Sequence, residues 1–321
     1  MPADAWIPVT VGAGLLVWWL WLGRDPSPGS IVPRWNPPPD LTPGLAGTLV
    51  DQRADVADIL ATVLDLARRG WLTIREIHPS GVPAEGRGVP LIKDILSRVD
   101  LWETEWEFAR TEKPIEELAA HEGAVMTALF AGRERVGASA LSRSLHERLP
   151  GLFASLYDGL ERRGFFLTRP DHVRRDFYLL AAGFGAAAGL AHGLGAGLER
   201  VVALAASGGV VALFAPVMPA STPSGARARA AALGVAEYLR RAAREEIEAR
   251  HGDERTPERF DALLPWAIAL GVTDLWLEEF RGMLPEERPW FVVEGPAGEA
   301  LEVQIGAFCA VATALLEGRE R

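Results

Sequence analysis

The chain has 321 residues, 49% of them hydrophobic and 24% charged, a mixture that points to apolar segments set apart from charged ones. A formal net charge of −10 argues against general attraction to nucleic acid, whose phosphates are neutralised by Lys and Arg. Cys309 is the single cysteine, which excludes an intrachain disulfide, a CxxC redox pair and a cysteine-based zinc knuckle.

The first element is the charge-free run Ala5 to Leu22, "AWIPVTVGAGLLVWWLWL", bounded by Asp4 and Arg24. As a helix it reaches roughly 27 Å, near the minimum for a bilayer. Trp6 at one end and Trp18, Trp19 and Trp21 at the other are spaced like aromatic belts. No Lys or Arg precedes the run and no small-x-small cleavage site follows it, so residues 1–23 read as an uncleaved anchor.

Residues 24–50, with "RDPSPGSIVPRWNPPPDLTPG", read as an extended Pro-rich linker. A soluble region, 51–176, follows. Val56, Ile59, Leu60, Val63, Leu66 and Ala67 recur at helical spacing, Gly70 stands where a helix cap is needed, and Trp71 to Ile77 reads as a strand. "HPSGVPAEGRGVP" from His78 reads as a loop or turn, and "DLWETEWE" from Asp100 is markedly acidic.

Leu118 to Phe130 and Ala138 to Leu149 look helical, and "LERRGFFLT" from Leu160 repeats "LARRGWLTI" from Leu66. Helix, helix, helix, strand is the order of a winged helix. The paired arginines fit a solvated face better than a DNA contact.

A second charge-free run, Phe177 to Leu198, and a third, Val201 to Ala226, flank Glu199 and Arg200, which predicts a transmembrane hairpin over 177–224 with the polar pair at its tip. Pro216, Pro219 and Pro223 end the third helix near Met218. The second run opens as GxGxxxG, but a dinucleotide loop needs a strand before it and a polar βαβ context after it. Gly185, Gly189, Gly193 and Gly197 recur every fourth residue, the pattern of a helix-packing seam against the Val201 to Met218 helix. His192 is the one ionisable residue within these runs, read either as a proton relay or as a neutral imidazole bonded to a neighbouring helix.

Arg24, Arg34, Arg169, Arg174, Arg175, Arg227 and Arg229 all flank the runs on one side, and Arg200 alone on the other. The positive-inside rule makes the arginine-rich side cytoplasmic and leaves the amino terminus outside. The cytoplasmic C-terminal region, 225–321, begins with an amphipathic helix from Ala230 to Arg250, its Arg240, Arg241 and Arg244 facing either anionic headgroups or the glutamates of the same helix. A compact helical unit, "DALLPWAIALGVTDLWLEEF", follows, and Ile305 to Leu316 is too short to span and reads as a packed or surface-lying helix.

Two blocks carry a family resemblance: "RWNPPPDLTPGLAGTLVD" with "ATVLDLARRGWLTI", and "GVAEYLRRA" with "RFDALLPWAIALGVTDLWLEEF". The chain resembles the predicted membrane proteins called domain of unknown function 2207. Gly234, Tyr238, Phe260, Pro265, Gly271 and Trp276 match the family pattern, and Trp266 stands where tyrosine is common. The resemblance implies an extracytoplasmic β-rich domain ahead of the first span, whereas this sequence begins almost at the span. It implies a topology and no catalytic residues.

The expected fold is therefore α-helical and membrane-embedded, with three transmembrane helices and cytoplasmic α+β, winged-helix-like and helical modules. No HExxH, GxSxG or GxxxxGK[ST] occurs and the six histidines are scattered, so no catalytic, cofactor or metal site is expected. The expected partners are the lipid bilayer and a protein, without nucleic acid and with no small-molecule ligand identified. The leading expectation is a noncatalytic interaction module; the alternatives are a membrane-tethered DNA-binding regulator and an accessory subunit of a transporter or envelope-processing complex.

Overall fold

A computed structural model describes residues 4, 6–27, 30–77, 105–138, 145–242, 256–284, 288–293 and 301–317. The chain is mostly helical with one small mixed sheet. It divides into two units, each built from two stretches: 1–29 with 160–228, and 30–159 with 229–321. The loop expected from His78, residues 100–104 of the acidic stretch, 139–144 of the second helix, and 243–250 of the amphipathic helix with Arg244 lie outside the described residues.

In the first unit, α1 (Trp6–Trp18) continues through a π-helical turn, Trp19–Gly23. The later helices α6 (Pro170–Gly193) and α7 (Leu198–Phe214) form an antiparallel hairpin, and α7 packs on both α6 and α1. A short 3₁₀ turn, Ala215–Val217, ends α7 where proline removes a backbone donor.

Two expectations change here. The charge-free run after Phe177 is not one helix to Leu198: α6 stops at Gly193, and Gly195 turns the chain at φ +77°. The hairpin tip is thus Leu194 to Gly197, with Gly197 as the N-cap of α7, while Glu199 and Arg200 lie in the first turn of α7. Among the described residues, only Leu198–Val217 is a helix long and apolar enough to cross a membrane, and Trp6–Trp21 is a shorter apolar helix. Glycine and alanine, weakly apolar, fill the middle of α6, and its first two turns hold Asp171, Arg174, Arg175 and Asp176.

The second unit joins a helical triangle to a sheet. Helices α2 (Pro43–Asp51), α3 (Val56–Arg68) and α9 (Pro257–Ala269) pack on one another. The residues expected as linker from Pro43 onward are therefore helical. Thr42 occupies the N-cap and Pro43 the first turn, where the missing proline N–H costs nothing. Gly44 and Gly47 let α2 approach α3 closely: a Cβ on Gly44 would stand 2.2 Å from Thr62 Oγ1, and one on Gly47 1.8 Å from Asp58 Oδ1.

The sheet runs β3-β2-β1-β4. β1 (Leu72–Ile77) and β2 (Glu105–Arg110) are antiparallel with Ile74 opposite Phe108; β3 (Arg135–Gly137) is antiparallel to β2; and β4 (Phe291–Val293) is parallel to β1 with Phe291 opposite Ile74. Helix α11 (Leu301–Leu316) is the short apolar C-terminal run, and it is packed. Its Phe308 meets Trp106 at 5.1 Å and Phe291 at 5.9 Å between ring centroids. α4 (Ala120–Phe130) packs on α3, and α10 (Thr273–Glu279) on α9 and α11.

The internal repeat is half preserved. At the end of α3, Gly70 at φ +77° lets the N–H of Trp71 reach the carbonyl of Leu66 at 2.9 Å. At the end of α5 (Leu149–Arg162), Gly164 at φ +68° does the same for Phe165 and Leu160 at 3.1 Å. After the first glycine the chain enters β1; after the second, Phe166 makes a single β-bridge with Ser221 and no strand. With β3 standing between α4 and α5, the helix, helix, helix, strand order read from the sequence is not the order of the elements.

Candidate functional site

The helices of the first unit bury small side chains and expose large apolar ones. Ala188 of α6 and Ala203, Ser207, Gly208 and Val211 of α7 are buried, and Ser207 satisfies its hydroxyl on the carbonyl of Ala203 at 2.8 Å. Outward-facing are Trp6, Val17, Trp18 and Trp21 on α1 and its extension, Leu179 and Leu190 on α6, and Val202 and Leu213 on α7. A soluble bundle places leucine inside and charge outside; the reverse order is what lipid permits, because helix contacts there rest on close backbone approach. Trp19 alone of the four tryptophans turns inward in part, its Nε1 donating to the carbonyl of Val217 at 3.1 Å.

Polar groups tie both ends of this apolar surface. At one end Arg200 Nε lies 3.4 Å from Asp4 Oδ2. At the other, Asp25 Oδ1 accepts from the backbone N–H of Ser221 at 2.7 Å and from its hydroxyl at 2.9 Å. The bridge from Ser221 to Phe166 adds the stretch that precedes α6. Thr222 then donates its N–H to the carbonyl of Phe165 at 2.9 Å and its hydroxyl to that of Gly164 at 2.6 Å. Gly225 is obligatory in this clasp, since a Cβ there would stand 2.2 Å from the Phe165 carbonyl oxygen.

Just before the apolar part of α6, Arg169 forks onto Asp171, Nε to Oδ1 at 3.1 Å and Nη2 to Oδ2 at 2.8 Å. Burial pushes the Asp171 carboxyl up, but the hydrogen bonds and charge of Arg169 with His172 outweigh it and hold it below the usual carboxylate range.

Of the glycines expected as a seam, Gly185 lies at the α6–α7 contact through its backbone, its N standing 3.7 Å from where a Gly208 Cβ would be. A Cβ on Gly185, Gly189, Gly193 or Gly197 would meet nothing within 4 Å. The close approach is made by Gly208 of α7, whose Cβ would stand 2.9 Å from the carbonyl of Ala181 and 3.1 Å from Phe184 Cβ. Gly197 has left the helix altogether. His192 is exposed in the last turn of α6, where its carbonyl accepts from Gly195 at 3.0 Å.

The motif residues of the second unit are brought together around α9 and α8 (Pro223–Ala242). Gly234 accepts the N–H of Arg34 at 3.0 Å, and a Cβ on it would stand 2.5 Å from the Val32 carbonyl oxygen, so the Pro-rich segment lies on bare backbone. The Arg259 guanidinium sits over the rings of both Trp35 and Tyr238, 5.2 Å from each. Phe260, Trp276 and Phe280 form one aromatic cluster, and Trp276 Nε1 donates to the carbonyl of Phe260 at 3.3 Å. Pro265 and Trp266 are buried within α9, and Gly271 at φ +66° closes it.

Sequence reading missed three polar features. Asp58, 2% exposed, receives the Thr48 hydroxyl at 2.7 Å on Oδ2; its signal was the capping spacing Asp55-x-x-Asp58 before an apolar run. Asp261 pairs with the buried Arg288 at 3.5 Å; burial raises its carboxyl while Arg288 and Trp290 pull it down. The clasp at Asp25 and Ser221 had no signal beyond the Ser-Thr-Pro run. Cys309 is buried, which pushes its thiol up to about 12 and keeps it protonated near neutral pH. Among the described residues no group of three or more His, Cys, Asp or Glu side chains is placed to hold a metal.

A helix hairpin with small residues inside, large apolar residues outside and polar ties at both ends defines a membrane-protein architecture. The chain belongs to the family described as Predicted membrane protein (DUF2207) C-terminal domain, which matches residues 32–280. The match begins at Val32, whose carbonyl faces Gly234, and ends at Phe280 of the aromatic cluster. No curated protein matches the chain, and no solved structure matches it.

Proposed function

We propose that the protein crosses the cell membrane three times, through α1 with its π-helical extension, α6 and α7, and works without catalysis as a protein-interaction module at the cytoplasmic face. The observation that carries this reading is the inverted packing of the first unit, with buried Ala203, Ser207 and Gly208 against exposed Trp21, Leu190 and Leu213. From Phe177 to Gly193, α6 offers 17 residues, about the shortest stretch that crosses a bilayer. Arg24, Arg169, Arg174, Arg175 and Arg227 cluster in sequence around the Asp25 and Ser221 clasp, and Arg200 with Asp4 marks the other end. That bias sets the arginine-rich end inside and the amino terminus outside.

The motif residues support an interaction role over a catalytic one, because Gly234, Tyr238, Phe260 and Trp276 are engaged in packing. Membrane-impermeant cysteine labelling on a Cys309→Ala background tests the topology. Labels at the Leu194 to Gly197 tip should react from outside intact cells and labels at Pro150 only after lysis; the reverse pattern, or equal labelling, rejects the topology. Crosslinking in intact membranes, with recovery of one reproducible protein, tests the interaction role. Recovery of nothing above background rejects it.

A further inference from the structure

Between α3, β2 and α11 the second unit keeps a cavity of about 40 Å³, walled by Ile59 and Val63, by Trp106 and Phe108, and by Phe308 and Leu316. Every residue that lines it is apolar. The volume is several times the roughly 10–15 Å³ that one water needs, yet a water there would lack its roughly two to four polar partners. The space therefore favours an alkyl group over water. Ala312 and Leu315, one helical turn apart on α11, are its part-exposed lining residues, so the opening lies along the last turns of that helix. The rim carries nitrogen donors. Leu145 also lines the cavity, and its carbonyl accepts the N–H of Arg148 at 2.9 Å, closing a turn that holds His146 and Arg148. Arg148 Nη1 donates to the carbonyl of Ala128 at 3.0 Å, beside the lining Leu129, and His146 Nδ1 lies 3.4 Å from the carbonyl oxygen of Leu316.

We propose that this cavity takes the tail of a single-chain fatty acid, whose carboxylate is bound by Arg148 at the rim. The lining accepts methylene groups and no polar atom, and its volume admits one chain and not two. Arg148 is exposed, and its bond to Ala128 uses one of five guanidinium N–H donors. The rest suit a carboxylate, which a guanidinium binds through two parallel hydrogen bonds. Glu147, next to Arg148, and Glu317, after Leu316, are exposed carboxylates. Direct hydrogen bonding to Arg148, and not the field of the rim as a whole, therefore selects the acid. All of these groups belong to the second unit, so the inference does not depend on the membrane reading.

Reaction of Cys309 with an aqueous disulfide reagent in mild denaturant, on the full chain in a steroid-based detergent that brings no alkyl tail, tests it. Cys309 is buried beside Phe308 on α11, so its labelling reports the opening of that helix. Octanoate should slow the labelling, by about tenfold at roughly nine times its dissociation constant. Octanedioate, of the same length but with a second carboxylate in place of the methyl end, should not. Ala312→Phe fills the opening and should abolish the effect of octanoate. Arg148→Met should weaken octanoate by about tenfold or more and leave the response to octanol unchanged. If Ala312→Phe fails to fold, octanedioate and the exposed Arg148 decide the matter. Labelling unmoved by octanoate, equal slowing by octanedioate, slowing that persists in Ala312→Phe, or an undiminished octanoate response in Arg148→Met overturns the proposal.

Discussion

Ser221 gives both its backbone N–H and its hydroxyl to a single oxygen of Asp25, 196 positions earlier in the chain. Helix α1 and helix α7 are thereby fastened at the residues where each has just ended. Asp25→Ala removes a charged acceptor and leaves a part-buried N–H unpaired, a loss on the order of 1.5–3 kcal/mol. The thermal midpoint of the detergent-solubilised protein should fall, and limited proteolysis should release the α1 segment sooner. Asp25→Asn, which keeps one acceptor oxygen, should lie between the two.

Gly208 and Gly189 make opposite predictions. Gly208→Val drives side-chain atoms into the Ala181 carbonyl and Phe184, where overpacking costs typically 1–3 kcal/mol. Gly189→Val meets open space within the chain. Disulfide crosslinking between cysteines placed on facing positions of α6 and α7, with Cys309 replaced, should fail in the Gly208 variant and persist in the Gly189 variant.

Gly234 and Arg259 act on one contact. Gly234→Ala sets a Cβ 2.5 Å from the Val32 carbonyl oxygen, so the Pro-rich segment must lift away. Arg259→Met keeps much of the aliphatic stem and loses the cation over Trp35 and Tyr238, a change of about 0.5–2 kcal/mol. The expected order of denaturant midpoints is natural chain, then Arg259→Met, then Gly234→Ala. The segment around Trp35 should gain hydrogen exchange in both variants.

Cys309 reports on α11. Buried and held as a thiol, it should be inert to an aqueous disulfide reagent in the folded protein at pH 8 and react fully once α11 is unfolded in denaturant. Rapid reaction under native conditions contradicts the burial of Cys309 within the packed α11.

Much of the architecture was legible because it rests on local rules. Gly70, just past the Arg69 C-cap, ends α3 in the left-handed conformation expected of it, and the apolar period before it leaves one register. The compact helical unit expected from Asp261 to Phe280 is present as α9 and α10, and its Trp276 and Phe280 cluster with Phe260, which lay outside that expectation. What stayed hidden was decided over long separations or by weak competition. Thr-Pro opens α2, α8 and α9 alike, yet beside "PPPD" the first of these signals reads as linker. The four-residue glycine spacing pointed to α6 as the closely approached helix, but contact depends on which face turns inward, and that was set by Ala181, Phe184 and Ala188. Strand formation after Gly164 failed because Phe166 finds Ser221 as its neighbour, whereas Ile74 has β2 and β4 on its two sides.

The parallel pairing of Ile74 with Phe291 sets an order of events during synthesis. Strand β1 leaves the ribosome more than 200 residues ahead of its edge partner, and the α6–α7 hairpin is made in between. Helix α3 likewise waits for α9 before Asp58 and Gly47 are sealed over. The second unit is thus begun before the α6–α7 hairpin and finished after it, and a nascent chain stalled between Val217 and Pro257 carries three of the four strands with an uncovered helical face. Such a chain is the form most in need of a chaperone or a quality-control protease.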